Sequence, residues 1–230
     1  MKKNILIIGG SSGIGLEIVK QINEEHNVYV ASRTNESLTQ LKHEFLKIDI
    51  NDQTIDSSLI PECLDGLVYC PGTINLRPFR GLKPETFIED FNLNVMGAIK
   101  SIQAVLKNLN NSVHASIVLF STVAVQTGMP FHSSIAASKG AIEGLTRSLA
   151  AEFAPKISVN AIAPSIVDTP LSDKFLNNEA KMQRAVERHP LKKVGSPSDL
   201  ASTAVFLLTN SSWITGQVIG VDGGIGNLKI

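Results

Sequence analysis

The chain has 230 residues, which suits one α/β domain with a substantial core and is short for two. Lysine plus arginine and aspartate plus glutamate both total 21, so no net charge indicates nucleic acid as a partner. A hydrophobic fraction of 43% is typical of globular proteins and excludes a disordered or fibrous chain. No apolar run is long enough to span a membrane, and two cysteines make no disulfide framework, so we expect a cytoplasmic protein.

The first apolar run, NILIIG, predicts a buried strand that leads through a glycine-rich turn into an amphipathic helix. Gly9, Gly13 and Gly15 allow a tight turn and let the backbone approach a pyrophosphate. The N-terminus of the helix offers free N–H groups with a positive partial charge, and Ser11 and Ser12 add hydroxyl donors. A strand before the turn and a helix after it favour a dinucleotide site over a turn without a ligand.

The second strand, NVYVAS, ends at a position that selects between two nicotinamide cofactors. An NAD site usually has an acidic residue here, which accepts hydrogen bonds from the adenosine ribose. Ser32 carries no negative charge to repel a 2′-phosphate, and Arg33 beside it can pair with one, followed by Thr34. The sequence therefore favours NADP(H), the alternative being an arginine that only faces solvent.

Five further apolar runs, FLKI, GLVYC, SIVLFS, ISVNAI and QVIGVD, predict strands separated mostly by segments of helical period. The segment 51–62 is too short and polar for a full covering helix. This alternation predicts an α/β fold with a doubly wound parallel sheet of about seven strands in three layers. No linker or repeat interrupts it, so we expect a single domain over residues 1–230.

The stretch FHSSIAASKGAIEGLTRSLA, residues 131–150, predicts a long helix with one lysine near its start, Lys139. Ser133 and Ser134 precede the helical run and are expected to cap it. Ile135 lies one turn before Lys139 on the same face, so an aliphatic side chain occupies the position where a proton donor would be useful.

The charged segment 171–190 follows a strand end and predicts either a mobile lid over the substrate or a solvated surface helix. Its charged residues include, in order, Glu179, Lys181, Arg184, Glu187 and Arg188. The basic ones would suit an acidic or phosphorylated carrier, but the interleaved glutamates favour the solvated helix.

The next helix, in SPSDLASTAVFLL, has a complete set of N-terminal signals. Ser196 is placed at the N-cap, Pro197 at the first helical position and Asp199 at the third. We therefore expect this helix to begin at Pro197.

Taken in order, these motifs resemble the short-chain dehydrogenase/reductase family over nearly the whole chain. IGGSSGIG is similar to the family's TGxxxGxG, with Ile8 in place of threonine, and KIDI places Asp49 and Ile50 where the family contacts adenine. YCPG stands where NNAG is usual, with only Gly72 retained, and Asn94 lies where the family's helix asparagine holds a water or the active-site lysine. The resemblance implies a nicotinamide dinucleotide at the carboxyl ends of the strands and a small-molecule substrate.

The second half of the chain extends the resemblance. In APSIVDTP, Ser165 replaces the usual glycine, while Val167 and Thr169 lie where the family contacts the nicotinamide carboxamide. Family members are mostly tetramers or dimers built through two long helices, and small residues in 131–150 allow such an approach, although packing within the fold explains them equally well. The predicted cofactor-binding residues are Gly9, Ser11, Ser12, Gly13, Ile14, Gly15, Ser32, Arg33, Thr34, Asp49, Ile50, Gly72, Lys139, Val167 and Thr169.

The catalytic positions depart from the family. A tyrosine normally precedes the lysine by four residues and a serine precedes that tyrosine by thirteen; counting back from Lys139 gives Ile135 and then Thr122. The lysine is kept, the serine hydroxyl is supplied by threonine, and the tyrosine that protonates the product is absent. The predicted catalytic residues are Thr122, Lys139, Asn94 and His132, and no metal site is predicted.

Three interpretations of the missing tyrosine remain open. Hydride transfer to a conjugated enoyl group forms an enolate, which needs oxyanion donors more than a strong acid, and the dienoyl-CoA reductase branch also lacks this tyrosine. Alternatively His132, seven residues before Lys139, supplies the proton, since divergent enoyl reductases carry their tyrosine at that spacing. The third is a silent NADP(H)-binding sensor or partner subunit.

Overall fold

The computed structural model describes residues 2–229 and contains one sheet of seven parallel strands. Met1 and Ile230, the ends of the predicted domain, lie outside the described residues. The strands run in the order β3-β2-β1-β4-β5-β6-β7, and each coincides with one of the apolar runs that predicted it. Their bounds are β1 Asn4–Ile8, β2 Asn27–Ser32, β3 Glu44–Lys47, β4 Gly66–Tyr69, β5 Ala115–Phe120, β6 Ile157–Pro164 and β7 Val218–Val221.

Helices cover both faces of this sheet. Only a short 3-10 turn, Ser57–Leu59, lies in the segment 51–62, as its length and polarity predicted. A π-helical turn, Asn92–Met96, joins α2 to α3. The helices are α1 Gly13–Ile22, α2 Pro84–Phe91, α3 Gly97–Asn110, α4 Ala124–Thr127, α5 Ser133–Phe153, α6 Asp173–Leu176, α7 Glu179–Arg188 and α8 Pro197–Thr209. Within residues 2–229, no helix combines the length and the apolarity needed to cross a membrane.

The central strand β1 shows why the sheet is buried on both sides. Ile5 and Ile7 point into one hydrophobic core, which also holds apolar residues of α1 and α8, whereas Leu6 and Ile8 point into a second core packed with residues of α3 and α5. A strand buried on both faces needs a continuous apolar run rather than an alternating one, and NILII is such a run. The three predicted layers are therefore confirmed.

The strand order fixes where a ligand can bind. Strand β1 pairs with β2 on one side and with β4 on the other, so the chain leaves β1 in one direction and later returns to build the sheet in the opposite direction. In open parallel sheets, the crevice at such a switch point opens at the carboxyl ends of the strands. The glycine turn after Ile8 lies at this place.

The two predicted helix starts have different outcomes. For α8, Ser196 and Asp199 form the predicted capping box, in which each side chain bonds the other residue's backbone N–H. For α5, the prediction that Ser133 and Ser134 cap the helix is wrong, because the N-cap is His132 without a side-chain bond. The Ser134 hydroxyl instead donates to the buried carboxylate of Asp90 at 2.5 Å, since a buried charge requires donors more strongly than a helix end does.

Close packing of Tyr69 against α3 yields a stability prediction. The Tyr69 hydroxyl donates to the Leu93 carbonyl at 2.6 Å, and a Cβ on Gly97 would overlap that hydroxyl. We expect Gly97→Ala to lower the free energy of unfolding by about 1–3 kcal/mol, because overpacking must displace the ring or the turn that carries Asn94. Denaturant unfolding measures the effect. Gly81→Ala is the control, since no atom of residues 2–229 other than its chain neighbours lies within 4 Å of its Cβ position. Equal losses of stability in both variants would contradict the account.

Candidate active site

Two cavities meet at the carboxyl ends of the strands. The first, of about 420 Å³, lies over the turn after β1 and is called the glycine-turn cavity; it is lined by residues such as Gly9, Gly13 and Asp49. The second, of about 550 Å³, lies over the start of α5 and is called the Lys139 cavity; its lining includes Thr122 and Lys139. Their linings share Ile14, Cys70, Gly72 and Leu171, so a ligand extending from one cavity reaches the other.

The glycine turn has the backbone conformation that a phosphate cradle requires. Gly9 and Gly13 have φ of 77° and 52°, in the left-handed region that side chains disfavour. A Cβ on Gly15 would overlap the Gly9 carbonyl oxygen, so only glycine allows this approach. The N-cap of α1, Ser12, makes no side-chain capping bond, and the first N–H groups of a helix have no intrahelical partner. The turn therefore fits a pyrophosphate.

Most predicted cofactor-binding residues line the glycine-turn cavity. They are Gly9, Ser11, Ser12, Gly13, Ile14, Gly15, Ser32, Arg33, Asp49, Ile50, Gly72 and Thr169. Thr34 and Val167 belong to the lining of neither cavity. The Thr34 hydroxyl lies 3.5 Å from Ser11 Oγ, and Val167 is 6% exposed and forms a β-bridge with Gly195, so both are occupied within the protein.

The end of β2 presents one free cation. Ser32 is buried, and its hydroxyl donates to the Thr34 carbonyl at 2.9 Å, which shapes the turn rather than contacting a ligand. Arg33 is exposed at the cavity edge and makes no ion pair within residues 2–229. Its guanidinium group is therefore available to an anion in the glycine-turn cavity.

Lys139 lies with Ile135 in the wall of the second cavity, one turn apart on α5. Both side chains are buried, at 7% and 5% exposure. Removal from water lowers the pKa of the Lys139 ammonium to about 8, although nearby Cys70 and Asp90 act in the opposite direction. The same removal from water raises the pKa of the Cys70 thiol to about 12. The cavity therefore pairs a cation of lowered pKa with an aliphatic neighbour.

Thr122 and His132 also line the Lys139 cavity, and each retains capacity for a ligand. The Thr122 hydroxyl has only long contacts, 3.5 Å to the Pro164 carbonyl and 3.4 Å from the Ala124 N–H. His132 Nδ1 lies 2.8 Å from the Pro130 carbonyl, so Nδ1 carries the proton, and Nε2 has no partner in the described part of the chain. Three of the four predicted catalytic residues thus share one cavity.

The fourth, Asn94, lies behind this wall. It is fully buried, and its Nδ2 donates to Thr73 Oγ1 at 2.9 Å and to the Asp90 carbonyl at 2.7 Å. Its Oδ1 has no partner among residues 2–229. A Cβ on Gly72 would lie 3.1 Å from that Oδ1 and 3.6 Å from Lys139 Nζ, so the amide oxygen and the ammonium group both face the Gly72 backbone.

Sequence reasoning missed the carboxylate that organises this wall. Asp90 is completely buried and accepts hydrogen bonds from Thr73 Oγ1 at 2.5 Å, Asn75 Nδ2 at 2.7 Å and Ser134 Oγ at 2.5 Å. These bonds connect α2, the loop after β4 and α5. A signal was present, because Asp90 lies four residues before Asn94 and so shares its helix face.

Sequence reasoning also missed a pair of residues in the wall of this cavity, Ser165 and His189. His189 is 3% exposed, with Nδ1 2.6 Å from the Ala185 carbonyl and Nε2 2.9 Å from Ser165 Oγ. Because a carbonyl only accepts, Nδ1 carries a proton, and in the neutral ring Nε2 accepts from the Ser165 hydroxyl. Residues 165 and 189 are far apart in sequence, so no local pattern could have paired them.

The segment 171–190 forms the outer wall of the Lys139 cavity. Leu171 and Phe175 contribute apolar surface, and α7 contributes Arg184 among others. Lys174 Nζ donates to the Ile74 carbonyl at 2.9 Å, which connects this wall to the loop after β4. Residues of this segment therefore line the cavity and contact the loop after β4.

Comparison with known proteins identifies the family. A family profile described as "Enoyl-(Acyl carrier protein) reductase" matches residues 9–226. A tropinone reductase homolog from Datura stramonium is 32% identical over 241 residues, covering 95% of this chain and 90% of the relative. L-xylulose reductase from Bos taurus is 30% identical over 233 residues, covering 96% of each.

A solved structure agrees with these relatives. The structure described as ElxO with NADP bound superposes with a TM-score of 0.88 at 28% identity, covering 98% of this chain and 99% of that one. The chain therefore belongs to the short-chain dehydrogenase/reductase family.

Proposed function

We propose that this protein is an NADP(H)-dependent oxidoreductase that transfers hydride to a conjugated enoyl or small carbonyl substrate without the family's tyrosine. The observation that carries the proposal is the composition of the Lys139 cavity. Thr122 and Lys139 line it together, while Ile135 occupies the position one turn before the lysine. Hydride acceptors that need a hydrogen-bonded oxyanion but no tyrosine proton suit this cavity best.

The cofactor assignment is supported by the fit of the glycine-turn cavity. Gly15 allows the close backbone approach to Gly9 that forms the turn, and Arg33, which makes no ion pair within residues 2–229, lies beside the uncharged Ser32. Asp49 and Ile50 would contact the adenine, and Thr169 the nicotinamide end. ElxO, similar to this chain over nearly its whole length, has been solved with NADP bound.

A substitution at Arg33 tests this assignment. We expect Arg33→Ala to weaken NADPH binding about tenfold and to leave NADH binding unchanged, because only NADPH carries the 2′-phosphate. Titration of each cofactor by fluorescence gives the two dissociation constants. Arg80→Ala is the control, since Arg80 is exposed and lines neither cavity. Equal weakening of both cofactors by Arg33→Ala would contradict the proposal.

In the proposed reaction the cofactor supplies the hydride, and the chain orients the reactants and stabilises charge. Lys139 holds the nicotinamide ribose, and the Thr122 hydroxyl donates a hydrogen bond to the oxygen on which negative charge develops. Asn94, through its free Oδ1, is suited to accept a hydrogen bond from a water or the ammonium group near Gly72. Ile135 donates nothing, so the proton must come from His132 Nε2, when protonated, or from solvent.

Substrate class is tested with NADPH oxidation. We expect turnover of enones or enoyl thioesters to exceed that of the matching saturated ketones by about 100-fold or more, because the missing general acid is worth about 100- to 10,000-fold at a carbonyl oxygen. Absorbance of NADPH measures both. Ketone turnover equal to enone turnover would contradict the proposed preference for enoyl substrates. Cofactor binding without turnover of any substrate would favour a silent sensor or partner subunit.

Two variants of the same helix start refine that result. Ile135→Tyr should raise ketone reduction, because it returns a phenol to the face that carries Lys139, whereas Ile135→Phe is the matched control without a hydroxyl. His132→Gln should lower enone turnover about tenfold or more if its Nε2 is the proton source. An unchanged rate in His132→Gln would assign the proton to solvent.

The lowered pKa of Lys139 predicts a pH profile. The ammonium form holds the ribose and is lost as pH rises through about 8, so kcat/KM for NADPH should fall about tenfold per pH unit above that value. Lys139→Arg should be slower but should lack this alkaline limb, because a guanidinium group stays protonated. The same inflection near pH 8 in both proteins would show that another group titrates.

Location and assembly complete the proposal. A location in the cytoplasm suits the composition and the two free cysteines, Cys63 and Cys70. A homodimer or homotetramer through α5 is supported by its small residues, since, apart from chain neighbours and nearby backbone of α5, no atom of residues 2–229 lies within 4 Å of a Cβ built at Gly144. The segment 171–190 would act as the substrate lid.

A further inference from the structure

The helix α7 separates its charges onto two faces. Lys181, Arg184 and Arg188 follow the 3.6-residue period and all line the Lys139 cavity. Glu179 and Glu187 lie outside that lining, and Glu187 Oε1 accepts from Gln183 Nε2 at 3.1 Å on the outer side. Helix α7 has no buried residue, and Arg184 and Arg188 are exposed, as a solvated surface helix requires. Its basic residues nevertheless share the face that lines the cavity, because residues that interleave in sequence separate around a helix.

The charge of the whole lining has one sign. Its ionisable side chains are those of Cys70, His132, Lys139, Lys181, Arg184, Arg188 and His189, and none is a carboxylate. None of the ion pairs formed within residues 2–229 involves the three basic residues of α7. Two buried acids lie behind the wall: Asp90, which is bonded by three donors, and Glu143, which accepts from Ser121 Oγ at 2.8 Å and pairs with Arg147. The lining therefore carries basic side chains and no carboxylate, which favours an anionic ligand.

Two of the three cations are free to meet a ligand. Lys181 Nζ is held by the Lys174 carbonyl and by Asn177 Oδ1, both at 2.8 Å, so it stabilises the turn between α6 and α7. Arg184 uses only its Nε, which donates to the Ala180 carbonyl at 3.1 Å, and Arg188 makes no side-chain hydrogen bond in the described chain. Guanidinium groups with free Nη atoms match the two oxygens of a carboxylate or phosphate.

Much of the remaining lining is apolar. Ile74, Leu76, Met129, Ile166, Phe175 and Ile225 contribute to it. We propose that the substrate has an apolar body with its hydride acceptor at Thr122 and Lys139 and a carboxylate or phosphate at the far end, bound by Arg184 and Arg188. The position of the hydride acceptor rests on the proposed function, whereas the binding of the anion rests on the residues that line the cavity.

A matched pair of probes tests the anion in turnover. 4-Phenylbut-3-en-2-one and its para-carboxylate share the same enone and differ by one charge. We expect kcat/KM for the carboxylate to be about tenfold higher or more, and the difference to shrink in high salt because exposed charges are screened. Equal values, with turnover present, would overturn the inference and leave the proposed function standing.

Variants of α7 locate the effect. Arg184→Gln and Arg188→Gln should each lower kcat/KM for the carboxylate probe about five- to tenfold and leave the neutral probe within about twofold. Arg184→Lys should retain part of the preference, since it keeps the charge and loses the planar fork. Arg80→Gln removes the same charge outside the cavity and should change neither probe. An equal loss of kcat/KM for the carboxylate probe in Arg80→Gln would show that the effect comes from the net charge of the protein, and would overturn the inference.

Binding without chemistry separates this inference from the proposed function. Calorimetry on the protein loaded with NADP⁺ compares 4-butylbenzoate, 4-butylphenylphosphonate and methyl 4-butylbenzoate, none of which can accept hydride. Tighter binding of either anion than of the ester, lost in Arg184→Gln, supports the inference even if no enone or ketone is reduced. The stronger of the two anions distinguishes carboxylate from phosphate chemistry, and binding of the ester as tightly as both anions overturns the inference.

Discussion

The buried carboxylate of Asp90 is the interaction on which the geometry of the active site depends. A charge removed from water is tolerated only when donors surround it, and here Thr73, Asn75 and Ser134 supply them. Their bonds join the loop after β4 to α2 and to the first turn of α5. Ser134 directly precedes Ile135, so the same bond that satisfies the charge sets how α5 presents Ile135 and Lys139 to the cavity.

Lys139 completes this electrostatic arrangement from within α5. Burial favours its neutral form, and the negative charge of Asp90 and the nearby Cys70 thiol oppose that effect, so its pKa is lowered to about 8 rather than further. Asn94 lies between the two groups, because its Nδ2 donates to Thr73 Oγ1, which bonds the Asp90 carboxylate, while its Oδ1 faces Gly72 beside the ammonium group. The lysine thus keeps a charged form near neutral pH even though an isoleucine stands one turn away.

Sequence reasoning succeeded where the cause is local. The apolar run of β1, the glycine turn and the Ser196 capping box are each determined by neighbouring residues. It failed at Ser134, where a partner from α2 competes with the helix N-terminus, and at the pair of Ser165 and His189, whose contact exists only in the folded chain. The spacing of the basic residues of α7 could be recognised in the sequence, but only the fold shows that their face of the helix lines the cavity.

The absence of the tyrosine and the basic face of α7 have a common energetic consequence for the proposed reaction. Without a tyrosine, the reaction must obtain more of its rate from orientation, and binding energy from a remote part of the substrate can supply it. An anion held by Arg184 and Arg188 would fix the far end of an apolar body, leaving the acceptor no freedom except toward Thr122 and the nicotinamide face. Such a cavity would discriminate between substrates by their distal charge more strongly than by the acceptor itself, because the acceptor end contributes one hydroxyl and one ammonium group.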